Sequence, residues 1–209
     1  MSVKILIKKL NLMDEKFITS ELLREYCKKL NIGYYSAIRY LITHRYVYRI
    51  LRGIFYKPSF EERKLKKIDI DYMEAIAEAL RIKKIKNWYF GLESALKLNN
   101  TTHEYFAIDF LINDTLFRAN PITILSHKVR FIKIKKELCE FGIKKNEVRF
   151  SDMEKTVLDI VYLSRYGNLS DIEIKNKITN LLEHCSKNKL LKYSKKYNKK
   201  VHGFMEGTI

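Results

Sequence analysis

A glycine between two short β-type runs, directly behind two short helical periods, constrains this chain more than any other feature. The runs are "VYRIL" and "IFYKP", separated by "RG" (residues 47–58). Gly53 supplies the positive φ that a tight hairpin turn needs, and Pro58 ends the second run where its missing N–H does least harm. Ahead of the hairpin, Thr19 or Ser20 can cap a helix with Glu21 in its first turn and Leu22, Leu23, Tyr26, Cys27 and Leu30 at helical spacing. Asn31-Ile32-Gly33 breaks that helix, and "YYSAIRYLITHRY" opens a second. Its Ala37, Ile38, Leu41 and Ile42 point inward, leaving Ser36, Arg39, Tyr40 and Thr43 outward or at the margin. Two short helices joined by a Gly-containing turn match a helix-turn-helix unit. A hairpin placed straight after such a unit is a wing, so residues 1–60 are expected to form a winged helix-turn-helix domain.

In such a domain the start of the second helix enters the major groove, which makes Tyr34, Tyr35, Ser36, Arg39 and Tyr40 the candidate base readers. Arg39 can donate a bidentate pair to guanine, and Ser36 can serve base or phosphate. Arg45 closes that helix, where DNA contact and a favourable interaction with the helix dipole are both open. Arg49, Arg52 and Lys57 on the hairpin suit phosphate contacts. The charge distribution agrees with a polyanionic partner, expected to be double-stranded DNA. The 209-residue chain has a net charge of +17, with 12 Lys/Arg against 4 Asp/Glu in residues 1–60, 22 against 19 in 61–185 and 7 against 1 in 186–209. The excess sits at the two ends.

The remainder is rich enough in apolar residues to build a core, which excludes a disordered tail. Residues 1–12 mix apolar residues with lysines and fit either a strand or the first turn of a helix. A charged, Pro-bounded stretch reads as a connector at 61–69. From residue 70 helical periods occur in "IDYMEAIAEALRI", near Phe90 in "NWYFGLESALKLNN", after Ser151 or Asp152, and after Ser170 or Asp171. "HEYFAIDFLIN", parts of "PITILSHKVRFIKI" and "LCEFGIK" are strand-like. Residues 70–185 are therefore expected to form an α+β domain with a small sheet flanked by helices. For the lysine-rich segment 186–209, nonspecific nucleic-acid contact and a solvated tail are both open.

No catalytic constellation emerges, and neither a cofactor nor a metal is expected. Cys27, Cys139 and Cys185 lie far apart with no CxxC spacing, which disfavours a disulfide framework or zinc site and fits a reducing compartment. No signal peptide is evident and no apolar run reaches membrane-span length, so a soluble, cytoplasmic protein without a membrane partner is expected. Asp152 reads as an N-cap, Asp159 as the partner of Lys155 at i−4, and Glu93 as the partner of Lys97 at i+4. Asp109 sits in a strand-like alternation, and Trp88, Tyr89 and Phe90 read as core. The histidines are scattered, Ser94 in "GLESA" lacks the second glycine of a nucleophile elbow, and no GxxxxGK loop occurs.

The order of the winged helix, "RGIFYKP", "NWYFGLESALKLNNTTHE", "ITILSHKVRFIKI" and "VRFSDMEKTVLDIVYLSRYGN" resembles the AbiEi family over roughly residues 10–170. These are antitoxins of type IV toxin–antitoxin pairs in abortive infection. The resemblance implies that the N-terminal domain binds operator repeats upstream of its own operon and represses it. It implies that the C-terminal domain supplies antitoxin activity against a nucleotidyltransferase-like toxin, and that the antitoxin is not an enzyme. The lysine-rich end after residue 186 departs from the commoner family pattern. Repeated operators usually mean two or more copies bound together, as in a homodimer on DNA. Two rivals stay open: a nuclease or nucleotidyltransferase-like enzyme whose winged helix delivers substrate, and a winged-helix regulator with no toxin partner.

Overall fold

The computed structural model describes residues 2–209 of a mixed α+β chain. The chain divides into two compact units, one running to Lys84 and including Thr123–His127, the other comprising Ile85–Ile122 and Lys128–Ile209.

The first unit opens with α1 (Ser2–Asn11), β1 (Phe17–Thr19), α2 (Ser20–Lys29) and α3 (Tyr34–Thr43), followed by β2 (Tyr48–Leu51) and β3 (Ile54–Tyr56). The segment that left strand and helix open is the helix α1, whose Leu6 and Leu10 are buried four residues apart. Thr19 caps α2, its hydroxyl accepting the Leu22 N–H at 3.3 Å. Both α2 and α3 end in a left-handed residue, Asn31 (φ 50°) and Arg45 (φ 56°). The following amides, of Ile32 and Tyr46, then reach back to the carbonyls of Cys27 (3.0 Å) and Leu41 (2.8 Å), closing each helix by a Schellman motif. These stops join Leu23 and Cys27 to Ala37, Ile38 and Leu41 in one core with Leu6, Leu10, Ile18, Val47 and Phe55. The sheet order is β1-β3-β2, with both pairings antiparallel. Gly53 turns the β2–β3 hairpin at φ 82°, and a Cβ there would meet Ser20 Oγ at 3.0 Å. Its carbonyl accepts the Ser20 N–H at 2.8 Å, which ties the hairpin to the start of α2.

The segment 61–69 is not a connector. It contains most of α4 (Phe60–Leu65), begun by a capping box in which Ser59 and Glu62 satisfy each other's backbone amides. Glu62 is buried, and its carboxylate also accepts the Tyr56 hydroxyl at 2.7 Å and the Asp69 N–H at 2.9 Å. After it, α5 (Tyr72–Ile82) buries Ala75, Ile76, Ala79 and Leu80 and packs against β2. The boundary accordingly falls after Lys84 rather than at 61–69.

The remaining elements are β4 (Trp88–Phe90), α6 (Leu92–Leu98), β5 (Asp109–Asn113), β6 (Ile122–Ile124), β7 (His127–Lys133), a 3-10 turn at Lys136–Cys139, β8 (Ile143–Lys145) and β9 (Arg149–Ser151). Four helices follow: α7 (Met153–Tyr166), α8 (Asp171–Leu182), α9 (Lys187–Ser194) and α10 (Lys199–Glu206). The sheet has six strands in the order β6-β7-β5-β4-β9-β8, larger than the small sheet expected. Trp88, Tyr89 and Phe90 are core as expected and form a strand that leads through Gly91 into the start of α6.

Val157, Leu158 and Val161 of α7 centre the core of this unit, joined by Ile174 and Ile178 of α8, Leu190 of α9, and Val201 and Met205 of α10. Residues 186–209 are therefore no solvated tail. Their helices bury an apolar stripe, and Lys189 pairs with Glu154 at 2.8 Å and Asp152 at 3.0 Å. Among the described residues, no helix is long and apolar enough to cross a membrane.

Candidate nucleic-acid interface

The α3 surface divides as its spacing demands. Ala37, Ile38 and Leu41 are buried, while Tyr35, Ser36, Arg39, Tyr40 and Thr43 are exposed. Gly33 starts the helix without a side-chain cap, which leaves the α3 N-terminal amides uncovered by its own side chain. Tyr34 is half-buried and packs edge-on to Tyr35, with ring centroids 5.3 Å apart. The Arg24 guanidinium of α2 lies 4.1 Å from the Tyr34 ring centroid and 5.9 Å from that of Tyr35. Sequence reasoning missed Arg24; its signal is its place on the solvent face of α2, between Leu23 and Cys27 on the buried face. The contact orients the two tyrosines that open α3.

Tyr40 has a second set of neighbours, with its ring 4.2 Å from His44 and stacked 6.3 Å from Tyr46. Its edge is exposed, but its face is partly spent on the helix end. Arg45 is exposed and holds the left-handed position of that end. On the hairpin Arg49 and Arg52 are exposed, with Arg49 5.7 Å from the Phe55 ring centroid. Arg39, Arg45, Arg49 and Arg52 enter no ion pair among the described residues, whereas Lys29 is neutralised by Glu25 at 2.5 Å.

Lys57 is not displayed with them. Its ammonium donates to the Leu10 carbonyl at 3.0 Å and to the Met13 carbonyl, and burial lowers its pKa, against the opposing pull of Glu15 and Asp14. It serves as a clamp from the end of β3 to the α1–β1 loop. The structure therefore brings Tyr34, Tyr35, Ser36, Arg39 and Tyr40 together on α3, leaves Arg45 exposed behind that helix and Arg49 and Arg52 exposed on the hairpin, and takes Lys57 out of the set.

In the second unit the polar groups turn inward. Lys155 and Asp159 are paired as their i, i+4 spacing predicts, yet both side chains are fully buried, at 0% and 1% exposure. The Lys155 ammonium is 2.5 Å from Asp159 Oδ1 and donates to the Tyr197 hydroxyl at 2.6 Å. Asp159 also accepts the Tyr197 hydroxyl at 2.7 Å and the Tyr89 hydroxyl at 2.8 Å. Burial pushes the Lys155 pKa down while Asp159 opposes it, and burial beside Asp159 raises both tyrosines well above their ordinary value. Enclosed on every side, the cluster ties β4, α7 and the α9–α10 junction together.

Ser94 is likewise committed, donating to Asp109 at 3.0 Å and accepting the Phe110 N–H at 2.8 Å. Asp152 caps α7, accepting the Lys155 N–H at 2.8 Å. Glu93 departs from expectation: it makes no ion pair with Lys97, and its Oε2 is buried without a hydrogen-bond partner. Among the described residues no group of three His, Cys, Asp or Glu is arranged to hold a metal ion.

The chain is similar in fold to the crystal structure of the RV2827C protein from Mycobacterium tuberculosis, with a TM-score of 0.57 and 11% sequence identity over 99% of this chain and 75% of that one. No protein-family model matches the sequence, and no curated protein matches it.

Proposed function

We propose that the first unit is a winged helix-turn-helix that binds double-stranded DNA, and that the chain acts as a non-enzymatic antitoxin and autorepressor of the AbiEi type. The observation that carries the DNA reading is the unpaired arginine set: Arg39 on the exposed face of α3 with Arg49 and Arg52 on the following hairpin, beside Ser36 and Tyr35. The element order α1-β1-α2-α3-β2-β3 and the sheet order β1-β3-β2 support the same reading, because they put a helix with an exposed polar face directly before a β-hairpin, the arrangement a winged helix uses. On this account Ser36 and Arg39 read base edges, Arg24 holds Tyr34 and Tyr35 at the helix entrance, and Arg49 and Arg52 grip phosphates. The antitoxin role rests on the family resemblance and falls to the second unit, with a nucleotidyltransferase-like toxin as its partner.

A gel-shift titration on the chain's own upstream region, with unrelated duplex as competitor, tests the first part. Binding should survive competitor in the native protein and be lost with Ser36→Ala plus Arg39→Ala. Equal affinity for every duplex, unchanged in that variant, overturns it. The second part is tested by co-expressing the full chain with a nucleotidyltransferase-like toxin encoded beside it. Rescue of growth that persists in the Ser36→Ala/Arg39→Ala variant is expected, and failure of the native chain to rescue contradicts it.

A further inference from the structure

The second unit carries a cleft of about 640 Å³ that neither the DNA reading nor the antitoxin reading uses. Its volume lies within the roughly 300–1,000 Å³ typical of ligand sites. Leu96 of α6, Ile160 and Leu163 of α7 and Leu181 of α8 form apolar walls, and Phe106 adds an aromatic one from the loop after α6. The polar contribution includes Thr101, Thr102, Ser164 and Asn180, and its charge is uneven. Glu93 and Glu104 line the cleft against a single Lys177. In a chain with 41 Lys/Arg and 24 Asp/Glu, a locally acidic cavity runs against the composition.

Glu93 is the centre of that polarity. One of its carboxylate oxygens is buried without a hydrogen-bond partner, which native folds keep only for a reason, and an external donor is one. Neither Glu93 nor Glu104 enters an ion pair among the described residues. Lys177 stands one helical turn after Glu173 and its charge lowers the Glu173 pKa, behind the larger effects of the Ser170 hydroxyl and amide, so it already has an acidic neighbour outside the cleft.

Local backbone fixes where Glu93 sits. The chain leaves β4 through Gly91 and enters α6 at Leu92, which holds a left-handed φ of 53°. A Cβ at Gly91 would come within 2.5 Å of Ile112 Cδ1, so the elbow lies close against the Ile112 side chain of β5. The residue delivered by this elbow is Glu93.

We infer that this cleft is a binding site for an organic cation with an apolar body, an ammonium or guanidinium carried on an aliphatic or aromatic group. The cation pairs with the Glu93 carboxylate, which turns its enclosed oxygen into the cleft to accept a charge-assisted hydrogen bond, while Leu96, Ile160, Leu163 and Phe106 cover the ligand's body. The inference stands independently of DNA binding. The same chemistry is offered by a free small molecule and by an arginine or lysine side chain of a polypeptide.

Calorimetric titration of the full chain with benzamidine, its neutral isostere benzamide and the peptide acetyl-Leu-Arg-Leu-amide tests it. Benzamidine should bind about tenfold more tightly than benzamide, and Glu93→Gln should remove about that factor, the worth of one charge-assisted hydrogen bond. Lys177→Ala, which removes an exposed opposing charge, should tighten benzamidine about two- to threefold. Unchanged circular dichroism and melting certify that Glu93→Gln is folded; if it is not, the amidine-to-amide ratio in the native chain decides alone. Tighter binding of the peptide than of benzamidine points to a polypeptide source, and the reverse to a free cation. Equal binding of amidine and amide, or no binding of either cation at millimolar concentration, overturns the inference.

Discussion

The most conspicuous cations of the two units are handled in opposite ways. In the first, Arg39, Arg45, Arg49 and Arg52 stand exposed without acidic partners; in the second, Lys155 is wholly enclosed with Asp159 and Lys189 is held between Asp152 and Glu154. Composition alone does not distinguish these cases. What separates them is whether a carboxylate shares the helix face or the packing contact. The second unit has carboxylates at such places on α7, and the α3–hairpin surface has none. A cation left without a local partner is available to an external anion, whereas one that is paired inside stabilises the fold.

Breaking the second unit's arrangement has the largest expected effect. Lys155→Met leaves Asp159 buried without its cation, which should cost about 3–5 kcal/mol. Hydrogen exchange should accelerate across β4, α7 and residues 187–206 and leave α2 and α3 protected. Replacing Asp159 by Leu in the same chain should recover part of the loss. Exchange that rises equally in both units, or not at all, contradicts the assignment of the cluster as that unit's tie.

Among the described residues of the first unit Glu62 is the buried charged side chain, and it gives the next effect. Burial alone would raise the Glu62 pKa, but bonds from the Asp69 and Ser59 amides and the Tyr56 hydroxyl bring it below its ordinary 4.5. A carboxyl depressed on folding contributes stability above its unfolded value and loses it as pH falls through the folded one. The stability difference between the native chain and Glu62→Gln should therefore be full at neutral pH and shrink below about 4.5. A difference that is flat across melting curves from neutral to acid pH would show that the carboxylate's charge is immaterial.

The smallest effect sharpens the contrast within the interface itself. Arg45 occupies a left-handed position that glycine adopts without strain, so Arg45→Gly should stabilise the first unit by about 1 kcal/mol in thermal unfolding. Destabilisation would mean that the arginine side chain makes a contact worth more than the strain it carries.

Periodicity made α2, α3 and α8 legible, because each buries one stripe, while the hairpin was legible from its glycine turn and α7 from its Asp152 cap, although the first turns of α7 are buried on every side. It left α1 ambiguous because lysines interleave with its apolar positions. Strands β5, β6, β7 and part of β8 lie in stretches read as strand-like, but β4 and β9 are three residues long, too short to alternate, and "WYF" is buried throughout, so the full six-strand extent of the sheet was not legible. Ser59 and Glu62 form a capping box that was readable in "SFEE" but was masked by the charge around it.

At the candidate interface the exposure of Ser36, Arg39 and Tyr40 followed from the same stripe that buried Ala37, Ile38 and Leu41. The withdrawal of Lys57 did not, because its partners are carbonyls of Leu10 and Met13, over 40 residues away in sequence. Lys155 and Asp159 carry the spacing of an ordinary surface pair, and only tertiary packing sets them inside. Nor does spacing show that Glu93 turns away from Lys97 into a cleft.

The central claim, that the α3–hairpin surface binds DNA through its unpaired arginines, is tested most directly by the salt dependence of binding. Fluorescence anisotropy on a duplex from the upstream region would be followed across a salt series for the native chain and for Arg39→Ala/Arg49→Ala/Arg52→Ala. With Arg49 and Arg52 on phosphates, the slope of log Kobs against log salt should become shallower by about 2 per bound copy, roughly 0.9 for each phosphate contact removed, while loss of Arg39 lowers the affinity itself. An unchanged slope would place the DNA-binding charge elsewhere and contradict the account.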